Sequence, residues 1–165
     1  MQLDLKKLFE VGDEPIVFDY TMDMSQVEQW GERPFCKPVA IKGKVVNRAG
    51  VVTLTYSADV PFSTNCARCL EPLEQCEHLE FTHTVVRKLN QQDDDDYVVV
   101  ADGLLNLDTL AQTDIVLELP TRVLCREDCK GLCSVCGVNL NKVQCDCKPE
   151  EWVADRIKAF DKLLD

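Results

Sequence analysis

The sequence contains no run of 18 apolar residues, which excludes a membrane-spanning helix of ordinary length. Its opening stretch, Met1 to Glu10, lacks the uninterrupted apolar core of a secretory signal, so a reducing cytoplasm is the expected setting. Histidine is nearly missing. Only His78 and His83 occur, and strand alternation puts them on opposite faces, so they form no local pair. There is no phosphate-cradling glycine loop, no nucleophile elbow and no H-x-E with the downstream P-C-x-x-C of a zinc deaminase. An enzyme would need an active site built from scattered carboxylates, and a non-enzymatic protein is expected. Positive charge is scarce as well. With 18 Lys and Arg against 29 Asp and Glu, the formal charge of -11 opposes general attraction to phosphates.

That charge is unevenly placed. Residues 33 to 58 carry Arg33, Lys37, Lys42, Lys44 and Arg48 and no acid, whereas residues 71 to 118 carry twelve acids against Arg87 and Lys88. A local basic surface is therefore compatible with an acidic whole. Lys42, Lys44 and Arg48 share one face of an expected strand with Ala40 and Val46, and such a face can grip an RNA backbone without reading sequence. The plainer alternative is an ordinary solubilising face.

What the chain has in abundance is cysteine, ten residues in 165. Six fall between Cys125 and Cys147, and a further pair, Cys66 and Cys69, lies upstream. Cys133-Ser-Val-Cys136-Gly137 followed by Cys145-Asp-Cys147 suits a tetrahedral zinc ion, because a C-x-x-C turn aims two sulfurs at one point and Gly137 permits the tight backbone. Four thiolates close the coordination sphere and supply folding energy rather than Lewis-acid catalysis. Cys66, Cys69, Cys125 and Cys129 make a second candidate zinc site if the two segments meet, and free thiols are the alternative. A redox role for Cys66 and Cys69 lacks a βαβ setting. Disulfides are disfavoured by the absence of an export signal. Cys36 and Cys76 are read as small apolar or semi-exposed residues.

The patterning predicts an α+β fold: an antiparallel β-sheet or partly open barrel with peripheral helices and a C-terminal cysteine-rich zinc-binding segment ending in a helix. Expected strands are Ile16 to Tyr20, Val39 to Val46, Val51 to Val60, Leu73 to Val86 and Tyr97 to Val100, with Asn47 to Gly50 as a hairpin turn. Expected helices are a short one in the first ten residues, one from a Ser25/Glu28 capping box through Trp30, and one capped by Asp108 that ends at Pro120. A last helix starts near Pro149, with Val153, Ile157, Phe160 and Leu164 as its apolar stripe. Asp93 to Asp96 reads as a solvated loop without calcium-site spacing. The division expected is a core over 1–120 and a cysteine-rich segment with its helix over 121–165, packed on the core as a single structural domain overall.

Cys66-Ala-Arg-Cys69-Leu-Glu-Pro72, then Leu119-Pro120, then Cys125 to Asn141 and Cys145-Asp-Cys147, resemble the YceD family of large ribosomal RNA subunit accumulation proteins. The likeness covers almost the whole chain and is most specific from Asp128 to Asn141. It implies a bacterial cytoplasmic protein needed for accumulation or processing of 23S ribosomal RNA, with no established enzymatic activity. Family genes often neighbour that of a small large-subunit ribosomal protein, and plastid relatives are linked to the same RNA. Some members keep the C-x-R-C turn but lack most C-terminal cysteines, which points to the turn, including Arg68, and to the sheet. The expectation is therefore a ribosome-biogenesis factor that contacts 23S ribosomal RNA, its precursor or a large-subunit protein during assembly, with Arg68 of the family turn and, from the acid-free stretch, the Lys42, Lys44 and Arg48 face as candidate contacts. The competing reading is an acidic adaptor for a basic large-subunit ribosomal protein; a metal-dependent RNA-processing enzyme is the third.

Overall fold

The computed structural model of the 165-residue chain describes residues 1–10, 14–29, 31–88 and 97–147. Alternating apolar positions build a five-stranded sheet in the order β2-β3-β4-β5-β6: β2 Ile16–Met22, β3 Val39–Arg48, β4 Val51–Asn65, β5 Pro72–Val86 and β6 Tyr97–Val99. A small antiparallel pair joins β1, Gln2–Asp4, to β7, Leu104–Asn106. Two helices are described, α1 over Lys6–Glu10 and α2 over Leu107–Glu118. The chain divides into two compact units: Met1–Ser63 with Glu74–Pro120, and Thr64–Leu73 with Thr121–Asp165.

In the first unit the period-2 alternation is nearly unbroken. Val52, Leu54, Tyr56, Ala58, Val60 and Phe62 of β4 are buried, and the intervening residues are not. β3 and β4 meet at a two-residue loop, because Arg48 pairs with Val51. Ala49 and Gly50 both have positive φ, 52° and 87°, the backbone a tight primed hairpin turn requires. Asn47 secures the turn by accepting the Gly50 N–H at 3.0 Å. Gly43 is demanded by packing: a Cβ there would lie 2.5 Å from the Thr55 carbonyl oxygen and 2.7 Å from the Phe18 ring.

α2 covers the inner sheet face with Leu107, Ala111 and Ile115 buried at four-residue spacing. Its polar side chains reach the same face. Tyr20 donates to Asp108 at 2.8 Å, and Asp114 accepts from Tyr56 and lies 2.7 Å from His83 Nε2. Burial, then the Asp114 carboxylate, push the Tyr56 hydroxyl far above the usual phenol range.

Several expectations change. β6 pairs with β5 in parallel, so the sheet is mixed rather than purely antiparallel. Asp108 is not the cap of α2. Asn106 is, accepting from Thr109 N, while Asp108 lies in the first turn and binds Tyr20 and the chain's amino terminus. The stretch after Ser25 forms a turn instead of a helix. Asp23 already takes the Ser25 N–H at 2.9 Å, and Glu28 reaches forward to Arg33 rather than back to a cap. The helix expected in the first ten residues is confined to Lys6–Glu10, since Gln2–Asp4 is drawn into β1 by β7. The loop at Asp93 to Asp96 and the helix after Pro149 lie outside the described residues.

Candidate functional site

The second unit is organised by two turns of one design. Cys66 N donates to Glu71 O at 2.8 Å and Leu70 N to Cys66 O at 2.9 Å; Cys133 N donates to Val138 O at 2.8 Å and Gly137 N to Cys133 O at 2.9 Å. In each, the residue after the second cysteine turns left-handed, Leu70 with φ 59° and Gly137 with φ 73°. Gly137 meets this conformation without a Cβ, whereas Leu70 holds it at some cost and is 63% exposed. Such turns point backbone N–H groups and both sulfurs inward.

The turns bring the cysteines together as two quartets. Cys66, Cys69, Cys125 and Cys129 form one, here called the bridging quartet because it joins segments 64–73 and 121–147. Cys133, Cys136, Cys145 and Cys147 form the C-terminal quartet. Within each, the sulfurs lie within 4.8 Å of one another. The pairs Cys66–Cys129 and Cys69–Cys125 stand 3.8 and 3.7 Å apart. Four thiolates bound tetrahedrally at a zinc–sulfur length of about 2.3 Å would be roughly 3.8 Å apart, and a disulfide would need about 2.05 Å. All ten cysteines are free. The donor sets thus fit a tetrahedral thiophilic ion.

Hydrogen bonding prepares the thiolates. Cys66 Sγ accepts from Cys125 N at 3.4 Å, Cys133 Sγ from Val135 N at 3.4 Å, and Cys129 Sγ from Asn141 Nδ2 at 3.2 Å. Desolvation raises the Cys66 thiol, but backbone N–H groups from Cys125, Cys69 and Arg68 prevail and bring it down to about 6. The backbone N–H groups of Cys136 and Val135 bring Cys133 down to about 6 as well. Burial pushes Cys125 up to about 12, and the interaction with Cys136 pushes Cys147 up to about 12. Despite desolvation, Cys129 is also drawn down, by the Asn141 amide and the Gly131 N–H, while Cys69 and Cys125 in the bridging quartet and Cys145 and Cys147 in the C-terminal one are pushed up, so full deprotonation calls for a cation at the centre.

Arg68 lies on the first turn and is exposed. Its Nη1 donates to the carbonyls of Glu127 and Cys129 at 3.1 and 2.9 Å, fastening the turn to the Cys125–Cys129 loop. Gly131, φ 76°, packs against it, since a Cβ there would meet Arg68 O at 3.0 Å. The sequence reading passed over Asn141 and Leu70. The available signals were the Asn-x-Asn spacing between cysteine pairs and a leucine at the position that Gly137 occupies in the other turn.

In the first unit, Lys42, Lys44 and Arg48 are exposed on the same face of β3. Lys42 and Lys44 line a shallow depression with Val17, Thr55, Ser57, Glu80 and Thr82. The acid-free run of sequence is not acid-free in space. Arg33 pairs with Glu28, Lys37 with Glu74 and Lys42 with Asp19, at 3.1, 3.2 and 3.3 Å. Lys44 and Arg48 have no acidic partner among the described residues. His78 and His83 do face opposite ways, His78 outward to Asp59 and Glu80, His83 inward to Asp114.

The family model described as large ribosomal RNA subunit accumulation protein YceD matches residues 54–164. An uncharacterised protein of Mycobacterium leprae is 26% identical over 122 residues, covering 69% of this chain and 52% of that protein. A maize protein named large ribosomal RNA subunit accumulation protein YCED homolog 1, chloroplastic, is 26% identical over 144 residues, covering 68% of this chain and 49% of its own. An uncharacterised Mycobacterium tuberculosis protein is 32% identical over 93 residues, covering 54% and 45%. The chain thus spans about half the length of the curated relatives it matches. No solved structure matches.

Proposed function

We propose, from the premise that this chain belongs to the YceD family of large ribosomal RNA subunit accumulation proteins, that it is a non-enzymatic ribosome-biogenesis factor of the bacterial cytoplasm. It supports 23S ribosomal RNA by binding that RNA, its precursor, or an assembly intermediate of the large subunit. The family match over residues 54–164 carries this reading. In support, each cysteine quartet offers four thiolates, a closed set that as a zinc site would hold structure rather than activate water.

The RNA contacts assigned are Lys44 and Arg48 foremost, then Lys42, which would exchange Asp19 for phosphate, and Arg68 through the guanidinium nitrogens not bound to Glu127 and Cys129. Exchanging an exposed ion pair costs little, since such pairs contribute roughly 0–1 kcal/mol. Substituting Lys44→Glu and Arg48→Glu together should weaken association with 23S precursor RNA and reduce the slope of log affinity against log salt by about 2. Unchanged affinity and slope would remove β3 from the account.

A second reading has its own observation. The first unit holds 9 Lys and Arg against 20 Asp and Glu, so it bears the whole net charge of -11, while the second unit is balanced at 9 and 9. So acidic a body suits a basic ribosomal protein. Capture from nuclease-treated lysate separates the two: loss of all ribosomal material favours RNA, and retention of one basic large-subunit protein favours the adaptor.

A further inference from the structure

We infer that Asn141 couples the two cysteine quartets, so that a metal ion in the C-terminal quartet tightens binding in the bridging quartet. The inference rests on the reading of both quartets as metal sites. Asn141 belongs to the loop between Cys136 and Cys145, which a metal in the C-terminal quartet would close. Its side chain nevertheless serves the other site. Nδ2 donates to Cys129 Sγ at 3.2 Å, while Oδ1 accepts from Arg126 Nη2 and Lys130 N, both at 2.8 Å, on either side of Cys129. Its own N–H donates to Asn139 Oδ1 at 2.9 Å, which holds the residue in place.

The surrounding backbone follows the same path. Leu140 N donates to Gly131 O at 2.9 Å, and Lys142 Nζ lies 2.5 Å from Glu71 of the first turn. The loop of one quartet is thus a wall of the other. Ordering that loop has an entropic cost, met when the C-terminal quartet closes around an ion. Asn141 then arrives already placed, and its N–H stabilises the Cys129 thiolate only when that sulfur is ionised as a ligand. By linkage, occupancy of the bridging quartet tightens the C-terminal one by the same factor.

Cobalt(II) titration of the reduced full chain tests this, since thiolate-to-cobalt charge-transfer bands report each tetrahedral site. Cys136→Ser isolates the bridging quartet and Cys69→Ser isolates the C-terminal one. Asn141→Ala should weaken the bridging quartet by about 10- to 100-fold and shift its charge-transfer band. It should leave the C-terminal quartet, measured in the Cys69→Ser background, within about threefold, the spread expected of uncoupled sites. Cys136→Ser should weaken the bridging quartet similarly, and adding Asn141→Ala to it should do little more. Equal bridging affinity in the wild type and Cys136→Ser, or fully additive losses, would overturn the coupling while leaving both metal sites standing. Absence of cobalt bands from both quartets would overturn the metal reading and the coupling with it. Should Cys136→Ser fail to fold, Asn141→Asp decides alone, because it keeps the shape and removes the amide donor; unchanged bridging affinity there rejects the inference.

Discussion

Removing the metal should unfold the cysteine unit and leave the sheet unit folded. Among the described residues of the cysteine unit, the buried apolar side chains are Cys66, Cys69, Cys129 and Val123. Three of these four are proposed ligands, and Leu73, Leu124 and Cys125 pack around them only partly buried. Full burial of a side chain contributes roughly 1.5–3 kcal/mol, an upper bound for Val123, whereas a structural zinc site contributes about 10–16 kcal/mol in small modules at neutral pH. Ions bound in the two quartets would therefore outweigh everything else that holds this unit. The sheet unit, in contrast, fully buries Phe35, Ile41, Leu54, Tyr56 and Ile115, and neither cysteine quartet draws a ligand from it. Hydrogen exchange of the reduced protein, zinc-loaded and chelated, reads both units at once. Loss of even about 4 kcal/mol lowers amide protection about a thousandfold, so segments 64–73 and 121–147 should lose all measurable protection. Segments 39–48 and 51–60 should retain theirs. Equal protection of 121–147 with and without metal would refute the reasoning, because packing alone would then be sufficient.

Zinc loading should release at least two protons per quartet at pH 7. Burial and the neighbouring sulfurs keep Cys125, at about 12, and Cys69 protonated in one quartet, and sulfur neighbours do the same for Cys147, at about 12, and Cys145 in the other. The bound state holds fewer protons, so affinity rises with pH, and more steeply below about 6, where Cys66 and Cys133 are protonated as well; calorimetry in buffers of different ionisation heat measures the release, and a value of zero contradicts it. Asp114→Ala should destabilise the sheet unit by about 2–3 kcal/mol, since it strands the buried Tyr56 hydroxyl and removes the partner of His83. Asp114→Asn, which keeps an acceptor, should recover about half of that in urea denaturation followed on the sheet unit.

The strands were legible because their periodicity is a local property. Val52 to Val60 alternates so regularly that only one register buries it, and Asn47 to Gly50 carries the turn chemistry beside it. The helix start at Asn106 was missed for a specific reason. Asn106 and Asp108 are both good caps by composition, and Asp108 is drawn away by Tyr20, which is 88 residues distant. β1 and β7 were invisible because three-residue strands have no period to read, and they exist only through each other. At the cysteines, spacing identified the pairs. It could not show that the Cys66 turn is closed by the Cys125–Cys129 loop, nor that Asn141 supplies a hydrogen bond to a sulfur twelve residues away. The acid-free run from 33 to 58 misled for the converse reason: Asp19, Glu28 and Glu74 come to it from outside the run.

Charge then constrains what the proposed partner can be. Two tetrathiolate zinc sites would each add -2, so the cysteine unit, balanced in sequence, becomes -4 and the loaded chain -15. No whole unit is then attractive to a bare phosphate backbone, and the remaining attraction is local, at Lys42, Lys44, Arg48 and Arg68 and at the exposed Arg122 and Lys130. A few such contacts suffice for association only where the repulsion from the rest is cancelled. Naked precursor RNA does not cancel it; an RNA already carrying a basic ribosomal protein does. The two proposed readings would be reconciled by one proposed partner, a ribonucleoprotein intermediate that would present phosphate to β3 and basic protein to the acidic remainder of the sheet unit. The comparison that tests it is affinity for the same RNA with and without its basic proteins. Tighter binding to the protein-covered form is expected, and tighter binding to the naked RNA would show that the acidic surface has no electrostatic part in recognition.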